Sequence, residues 1–199
     1  MNQSLIYKNL IFYRCAIAFL YGGKYKERFY KVCNLITENE IKILELCFGD
    51  IIVADYCRRK HKDWTGIDIT KGFVDFAREK GYSAQEADIG QMDQLPKCDM
   101  CLMIGSLYHF SDQLDKVLSL MLSSSQRIII SEPINNLSNR KDIIGTVASK
   151  MAAVKNNPAE FRYTKNSLLV QLDALKSEKG FHFKILDEDK RDIILEIKK

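Results

Sequence analysis

The chain has 199 residues, of which 46% are hydrophobic and 28% charged, with 10 glycines and 3 prolines. This composition is typical of a globular protein and excludes disordered, collagen-like and mucin-like chains. No run approaches the roughly 20 apolar residues of a membrane span. The net charge of +4 is too small to indicate a nucleic-acid partner. The six cysteines match no secreted disulfide framework, so we expect reduced thiols and a cytoplasmic location, with no membrane partner.

Two aromatic-rich segments, Leu5–Phe19 and Tyr25–Ile36, open the chain and predict two helices. Short apolar runs and amphipathic helices then alternate. Strands are predicted at Ile41–Leu46, Trp64–Ile69, Ser83–Ala87, Met100–Ile104 and Arg127–Ser131. Helices are predicted at Ile51–Arg59, around Phe73 to Ala77, and at Leu114–Leu122 with Ser111 or Asp112 as its cap. This alternation predicts a doubly wound, mostly parallel sheet with helices on both faces.

The carboxyl-terminal part of the chain departs from the alternation. A helix begins near Thr164, and two strand-like runs, Phe181–Leu186 and Asp192–Ile197, follow around a polar turn. These runs predict an antiparallel hairpin. We expect a single α/β domain over residues 1–199, with a helical lid at 1–38, a core at 39–133, and a substrate cover and hairpin at 134–199.

Polar residues follow several of the predicted strands, at the sheet edge where open α/β folds bind ligands. Gly49 follows the first strand and Asp68 ends the second, about the spacing at which an acid reaches a ribose diol. The turn has only one of the three glycines that cradle a pyrophosphate, and Asp50 would repel a phosphate there. A ligand with a ribose, an adenine and an ammonium group tolerates acidic neighbours. S-adenosylmethionine has this chemistry.

From about Ile41 to Pro133 the sequence resembles the class I S-adenosylmethionine-dependent methyltransferases. The motifs that carry the resemblance are Ile43–Asp50 after the first strand, Gly66-Ile67-Asp68-Ile69, Glu86-Ala87-Asp88-Ile89 and Cys98–Phe110. Each is weak alone, but the four occur in the family's order at intervals of about 20 residues. The resemblance implies a seven-stranded sheet whose carboxyl-terminal strand is antiparallel.

The resemblance also implies site residues. Asp68 would hold the ribose hydroxyls, Ile69 would lie against the adenine, and Asp88 would accept from the adenine amino group. The full predicted cofactor set is Glu45, Cys47, Gly49, Asp68, Ile69, Asp88, Ile89, Ser106 and Tyr25. The predicted substrate-binding set is Tyr21, Tyr108, Glu132 and Asn135. The expected product is S-adenosylhomocysteine, and no metal is expected.

The glycine-rich turn departs from the family's pattern at two positions. Cys47 stands at the first glycine position and Ile51 at the third. If the backbone needs a positive φ there, each residue would be strained by about 1–2 kcal/mol. The other interpretation is that Gly49 alone must touch the ligand and that Cys47 is small enough to fit.

The sequence leaves several alternatives open for the residues that would surround the methyl acceptor. His109 is either a base toward an acceptor hydroxyl or amine or a structural residue at the mouth of the site. Tyr21 and Tyr25 either form part of a lid or pack on the sheet. The basic segment from Asn136 to Arg162 either covers an anionic acceptor or is a solvated helix face.

The Cys98-x-x-Cys101 spacing is redox-like, but we expect core packing, because alternate residues of a strand point to opposite faces and no second pair of ligands for zinc follows.

The leading hypothesis is a methyltransferase acting on O or N of a small molecule, as a monomer or homodimer. The alternative is a non-catalytic binding or regulatory protein with the same fold. A third hypothesis, that the protein is a nicotinamide oxidoreductase, rests on fold analogy alone.

Overall fold

Seven strands form one mixed sheet in the computed structural model of the protein, which describes residues 25–134 and 161–199. The strands are β1 Lys42–Leu46, β2 Asp63–Asp68, β3 Ser83–Glu86, β4 Met100–Ile104, β5 Arg127–Pro133, β6 His182–Glu188 and β7 Asp192–Lys198. The α-helices among these residues are α1 Tyr25–Cys33, α2 Ile52–Arg59, α3 Lys71–Glu79, α4 Leu114–Ser124 and α5 Lys165–Lys179. Single-turn or short 3₁₀ helices lie at Ile89–Gln91 and Leu107–Gln113.

The strand order across the sheet is β3-β2-β1-β4-β5-β7-β6. β1 to β5 pair in parallel, and β7 inserts antiparallel between β5 and β6. Pro133 at the end of β5 lies opposite Asp192 at the start of β7. The prediction of a mostly parallel, doubly wound sheet with a carboxyl-terminal antiparallel hairpin is confirmed.

Helices cover both faces of the sheet and divide the apolar core in two. One cluster contains buried residues of α4 and α5, such as Leu118 and Leu168. The other contains buried residues of α1, α2 and α3, such as Phe29, Val53 and Val74. Strand residues alternate between the two clusters, because neighbouring side chains of a strand point to opposite faces. Buried parallel strands such as β4 therefore need apolar residues at every position.

Two local predictions were inaccurate. Helix α1 ends at Cys33, three residues before the predicted end. Neither Ser111 nor Asp112 caps α4, because both belong to the preceding 3₁₀ helix, and Gln113 at the cap position makes no side-chain cap bond. By contrast, Thr164 caps α5 as a capping box with Ser167, where the sequence placed the start of that helix.

Several predicted features lie outside the described residues. These are the helix over Leu5–Phe19, Tyr21, Asn135, most of the predicted lid at 1–38 and most of the cover before Arg162. Within the described ranges, no helix is both long and apolar enough to cross a bilayer.

Candidate cofactor and acceptor site

The turn after β1 contains two residues in the left-handed region. Cys47 has φ +54° and Gly49 has φ +57°. A left-handed conformation costs a residue with a Cβ about 1–2 kcal/mol, whereas glycine adopts it without a steric cost. Ile51 has φ −92° and is unstrained. Of the two departures from the three-glycine pattern, only Cys47 therefore stores strain.

Asp68 ties this turn to the end of β2. Its Oδ2 accepts a hydrogen bond from the Gly49 N–H at 3.1 Å, and its Oδ1 accepts one from the Thr70 N–H at 2.8 Å. The residue is only 5% exposed. Burial raises the pKa of Asp68 to about 6, against the opposing effect of the two N–H donors. The carboxylate is therefore mostly ionised at neutral pH and keeps lone pairs for further donors.

Asp88 follows β3 at the same edge of the sheet. Its Oδ1 accepts from the Gly90 N–H at 3.0 Å, which caps the short helix Ile89–Gln91. Ile89 is 2% exposed and belongs to the core, whereas Ile69 after β2 is half-buried. Parallel pairing of β1, β2 and β3 brings these positions together.

The edge around Cys47 is strongly acidic. Burial, and then the charges of Asp68, Asp88, Glu45 and Glu132, raise the pKa of the Cys47 thiol well above its usual range. A thiol in this setting stays protonated, because burial disfavours the thiolate and nearby acidic side chains such as Asp68 and Asp88 repel it. The same field favours a cationic group.

Glu45 lies behind the turn and is not exposed to solvent. Its Oε2 accepts from the Trp64 indole N–H at 2.8 Å, and Oε1 has no hydrogen-bond partner among the described residues. Burial raises the pKa of Glu45 well above its usual range. Of the predicted cofactor residues, this carboxyl is the one placed deepest in the interior.

The end of β4 lies against helix α1. Gly105 has φ +69°, and a Cβ there would collide with the Arg28 guanidinium. Arg28 is buried and pairs with Asp192 of β7 at 2.5 Å. The Ser106 hydroxyl donates to the Ile104 carbonyl at 3.4 Å. Tyr25, on the same helix as Arg28, packs edge-on against Phe29 with 5.0 Å between ring centroids.

Tyr108 and His109 lie near the start of the 3₁₀ helix Leu107–Gln113 after β4, with ring centroids 3.9 Å apart. The Arg162 guanidinium lies 3.7 Å from the centroid of the Tyr108 ring. Burial and the charge of Arg162 lower the pKa of His109 to about 4. The imidazole is therefore neutral at pH 7 and can accept a proton, although as a weak base.

Glu132 at the end of β5 is fully buried. Its Oε2 accepts from the Leu107 N–H at 3.0 Å, and its Oε1 has no hydrogen-bond partner among the described residues. Burial raises the pKa of Glu132 to about 8, although the charge of Arg28 and the N–H of Leu107 oppose the shift. Glu132 and His109 thus have pKa values displaced in opposite directions from their usual ranges.

No family model matches the chain, and no curated protein matches it by sequence. Many solved structures share its fold. A methyltransferase from Archaeoglobus fulgidus described as dependent on S-adenosylmethionine (SAM) has a TM-score of 0.69 at 15% identity, with 94% of this chain and 99% of that one covered. Human N-acetylserotonin methyltransferase in complex with SAM has a TM-score of 0.65 at 17% identity, covering 98% and 57%. Magnesium protoporphyrin IX methyltransferase from Synechocystis with bound S-adenosylhomocysteine (SAH) has 0.64 at 14%, covering 96% and 88%.

The chain has the class I methyltransferase fold. It spans little more than half the length of the human enzyme. The methyltransferase fold confirms the architecture implied by the four sequence motifs. The assigned roles of the individual residues stay predictions.

Sequence analysis did not single out two arginines that lie at this edge of the methyltransferase fold. Arg28 reaches Gly105 and Asp192, and Arg162 reaches Tyr108. Neither belongs to a recognisable motif, and each meets its partner across more than 50 residues of chain, so no local signal could have found them. Beside Arg28, a cavity of about 340 Å³ opens between α1 and the β6–β7 turn. Among residues 25–134 and 161–199, no group of three or more His, Cys, Asp or Glu is arranged to hold a metal ion.

Proposed function

We propose that the protein is a SAM-dependent methyltransferase that transfers a methyl group to O or N of a small molecule. The observation that carries the proposal is the hydrogen bond from Gly49 to Asp68, which joins the β1 turn to the acid at the end of β2. A turn that can approach a ligand, beside a carboxylate that accepts from hydroxyls, is what a nucleoside needs.

The residues present fit this cofactor electrostatically. The sulfonium and the ammonium of SAM are cations, and the edge of the sheet around Cys47 holds the carboxylates of Asp68 and Asp88. In the proposal, Asp68 holds the ribose hydroxyls, Ile69 lies against the adenine, and Asp88 accepts from its amino group. The remaining proposed contacts are Glu45, Cys47, Gly49, Ile89, Ser106 and Tyr25.

When bound, SAM supplies an electrophilic methyl group that passes to an acceptor in line, so the chain must chiefly position the acceptor and manage its proton. His109 is neutral at pH 7 and accepts that proton at a ring nitrogen. Tyr108 and Glu132 bind the acceptor, and Glu132, whose pKa burial raises to about 8, holds a proton at neutral pH.

A non-catalytic binding protein with the same fold is the second proposal. The left-handed Cys47 favours it, because this turn carries strain that the three-glycine form avoids. The two proposals differ in turnover and share the ability to bind the cofactor.

Calorimetric titration with SAH tests both proposals. We expect binding by the native chain and a loss of about 1–3 kcal/mol, roughly 5- to 150-fold in Kd, in Asp68→Ala, because hydrogen bonds to a carboxylate are removed. Asp63→Ala is the matched control, since Asp63 is exposed at the opposite end of the same strand. No binding at millimolar SAH would exclude both proposals.

Turnover separates the two proposals. Release of SAH from SAM is measured with a panel of hydroxylated and aminated metabolites. Methylation of a panel member, reduced in His109→Ala at unchanged SAH affinity, supports the enzyme. Binding without turnover, in the native chain and in Cys47→Gly alike, supports the non-catalytic protein.

A cytoplasmic location is part of the proposal. All the cysteines in the described part of the chain are free thiols, as is usual in a reducing compartment. A monomeric or homodimeric state stays a prediction.

A further inference from the structure

The cavity of about 340 Å³ between α1 and the β6–β7 turn has the size of a small-molecule site, since such sites occupy roughly 300–1,000 Å³. Its floor consists of buried residues, Arg28 of α1, Ser131 of β5, and Asp192 and Ile194 of β7. Its rim consists of more exposed residues of α1 and of the β6–β7 turn. The cavity therefore extends from the surface into the interior and has room for one small metabolite.

The Ser131 hydroxyl faces the cavity from β5. Ser131 is fully buried, and nothing within residues 25–134 and 161–199 forms a hydrogen bond with its Oγ. Ile194 lies directly opposite Ser131 in the antiparallel pair and belongs to the core cluster of α1, so both side chains leave the sheet toward α1. A buried hydroxyl without a partner is costly. At the floor of a cavity, it indicates a ligand atom that bonds to it.

This face of the sheet is not the one that holds the proposed acceptor residues. Glu132 follows Ser131, and neighbouring side chains of a strand point to opposite faces. Glu132 therefore shares its face with Ile130 of the core cluster of α4 and α5, against which Tyr108 also packs. The cavity is thus separate from the acceptor site proposed above.

The floor of the cavity carries a surplus of positive charge. The Arg28 guanidinium pairs with Asp192 Oδ1 at 2.5 Å. Arg191, at the border of floor and rim, donates from Nε and Nη2 to Asp192 Oδ2 at 3.0 and 2.9 Å. Two guanidinium groups thus share one carboxylate. This surplus favours an anionic ligand group, such as a carboxylate, that accepts from the Ser131 hydroxyl.

The rim carries the opposite surplus. Lys31 Nζ lies 2.7 Å from Asp187 Oδ2 and 2.9 Å from Asp189 Oδ2, so two carboxylates share one ammonium group. The exposed Glu27 and Lys190 also line the rim. In the described part of the chain, the rim therefore holds three carboxylates against two ammonium groups. This surplus favours a cationic ligand group.

Hydrogen bonds fix the β6–β7 turn beside the floor. Asp189 Oδ1 accepts from the N–H groups of Arg191 and Asp192, both at 2.9 Å. The Asp189 N–H donates to the Asp192 carbonyl at 2.9 Å. Because the turn is already ordered, a ligand does not have to order it on binding.

We propose that this cavity binds a small zwitterion of the class of free α-amino acids, with its carboxylate at Ser131 and its ammonium group at Asp187 and Asp189. The two ends of such a molecule are complementary in charge to the floor and the rim. A ligand with a single charge would match only one of them. Because the cavity and the acceptor residues lie on different faces of the sheet, the inference does not rest on the proposed methyl transfer.

Calorimetric titration of the native full chain tests the proposal. The protein amino acids are added one at a time at millimolar concentration. We expect at least one to bind, and we expect its N-acetyl derivative and its methyl ester to bind at least about tenfold more weakly, because each lacks one of the two charges. Two results would overturn the proposal without any variant. One is no binding by any amino acid, and the other is a derivative that binds as tightly as its parent.

Variants locate the bound amino acid. Ser131→Ala removes the floor hydroxyl and Asp187→Asn removes one rim charge, and each should weaken binding at least about fivefold. The matched controls are Ser123→Ala, at an exposed position of α4, and Asp173→Asn on α5, where Asp173 pairs with Lys176 as Asp187 pairs with Lys31. Both controls should bind as the native chain does. Native affinity in Ser131→Ala and Asp187→Asn alike would place the ligand elsewhere and overturn the proposal.

SAH titration of the same samples keeps this proposal apart from the methyltransferase proposal. Ser131→Ala and Asp187→Asn should retain the native affinity for SAH, because the cavity is a separate site. A loss of SAH affinity in both variants would show that the cavity belongs to the cofactor site and would overturn the inference. A chain that binds an amino acid as described but no SAH would contradict the proposed function alone.

Discussion

Cys47 and Cys98 lie at opposite edges of the same sheet, and the pKa values of their thiols are shifted in opposite directions. Cys47 follows β1 at the carboxyl edge, where burial and nearby carboxylates raise its pKa. Cys98 precedes β4 at the amino edge, where side-chain hydrogen bonds, against the effect of burial, lower its pKa to about 7. Because the thiolate is the reactive form, we expect Cys98 to react faster than Cys47 at neutral pH. The difference comes from the neighbours of each thiol, since the residue type is the same at both edges.

The largest expected effect concerns the packing under the carboxyl edge. A Cβ at Gly66 would come within 2.6 Å of the Trp64 ring and 2.7 Å of the Phe48 ring. We expect Gly66→Ala to lower the free energy of unfolding by about 3 kcal/mol, because the core there has no room. Gly180→Ala, with open space around the Cβ, should cost only about 1 kcal/mol for its left-handed φ. Urea denaturation measures both, and equal costs would contradict the packing account.

The acidity of the Cys98 thiol at the amino edge can be measured by alkylation. At pH 7 iodoacetamide should label Cys98 at least about tenfold faster than Cys47, because only Cys98 has an appreciable thiolate fraction. The midpoint of the Cys98 pH profile should lie near 7. Equal labelling rates of Cys47 and Cys98 would contradict the difference between the pKa values of the two thiols.

The carboxyl edge should respond to pH through Asp68. Burial raises the pKa of Asp68 to about 6, and a protonated carboxyl is a poorer acceptor for ribose hydroxyls. Affinity for SAH should therefore be nearly full above about pH 7, about half of that near pH 6, and about tenfold lower by pH 5, since about one pH unit below its pKa nine-tenths of the group is protonated. Calorimetry at both pH values tests this, and Asp68→Asn should abolish the dependence. A native affinity that is flat from pH 7.5 to 5 would argue against Asp68 as the ribose acceptor.

The smallest expected effect is at Cys47. Cys47→Gly should stabilise the chain by at most about 1 kcal/mol, because relief of the left-handed φ is partly offset by the flexibility of glycine in the unfolded chain. Cys47→Ala keeps a Cβ and should show no such gain. Guanidinium denaturation of the three proteins measures the difference, and a more stable Cys47→Ala would show that φ is not the cause.

The central strands β1, β4 and β5 were predictable because each contains a short apolar run. The bounds of β4 at Met100–Ile104 agree with the prediction, since all five residues are buried. The approach of Gly49 to Asp68 was predictable as well, because parallel neighbours bring their carboxyl ends to one edge. The cap of α4 was not, because nothing in the sequence distinguishes a cap at Ser111 from a 3₁₀ turn that continues to Gln113.

The sequence alone determined the order of strands and helices and the acidic residues that follow β1, β2 and β3, because these depend on local pattern and spacing. Only the tertiary structure decided which groups carry protons. The pKa values of Cys47, Cys98, His109 and Glu132 depend on burial and on neighbours from distant segments, such as Arg162 beside His109.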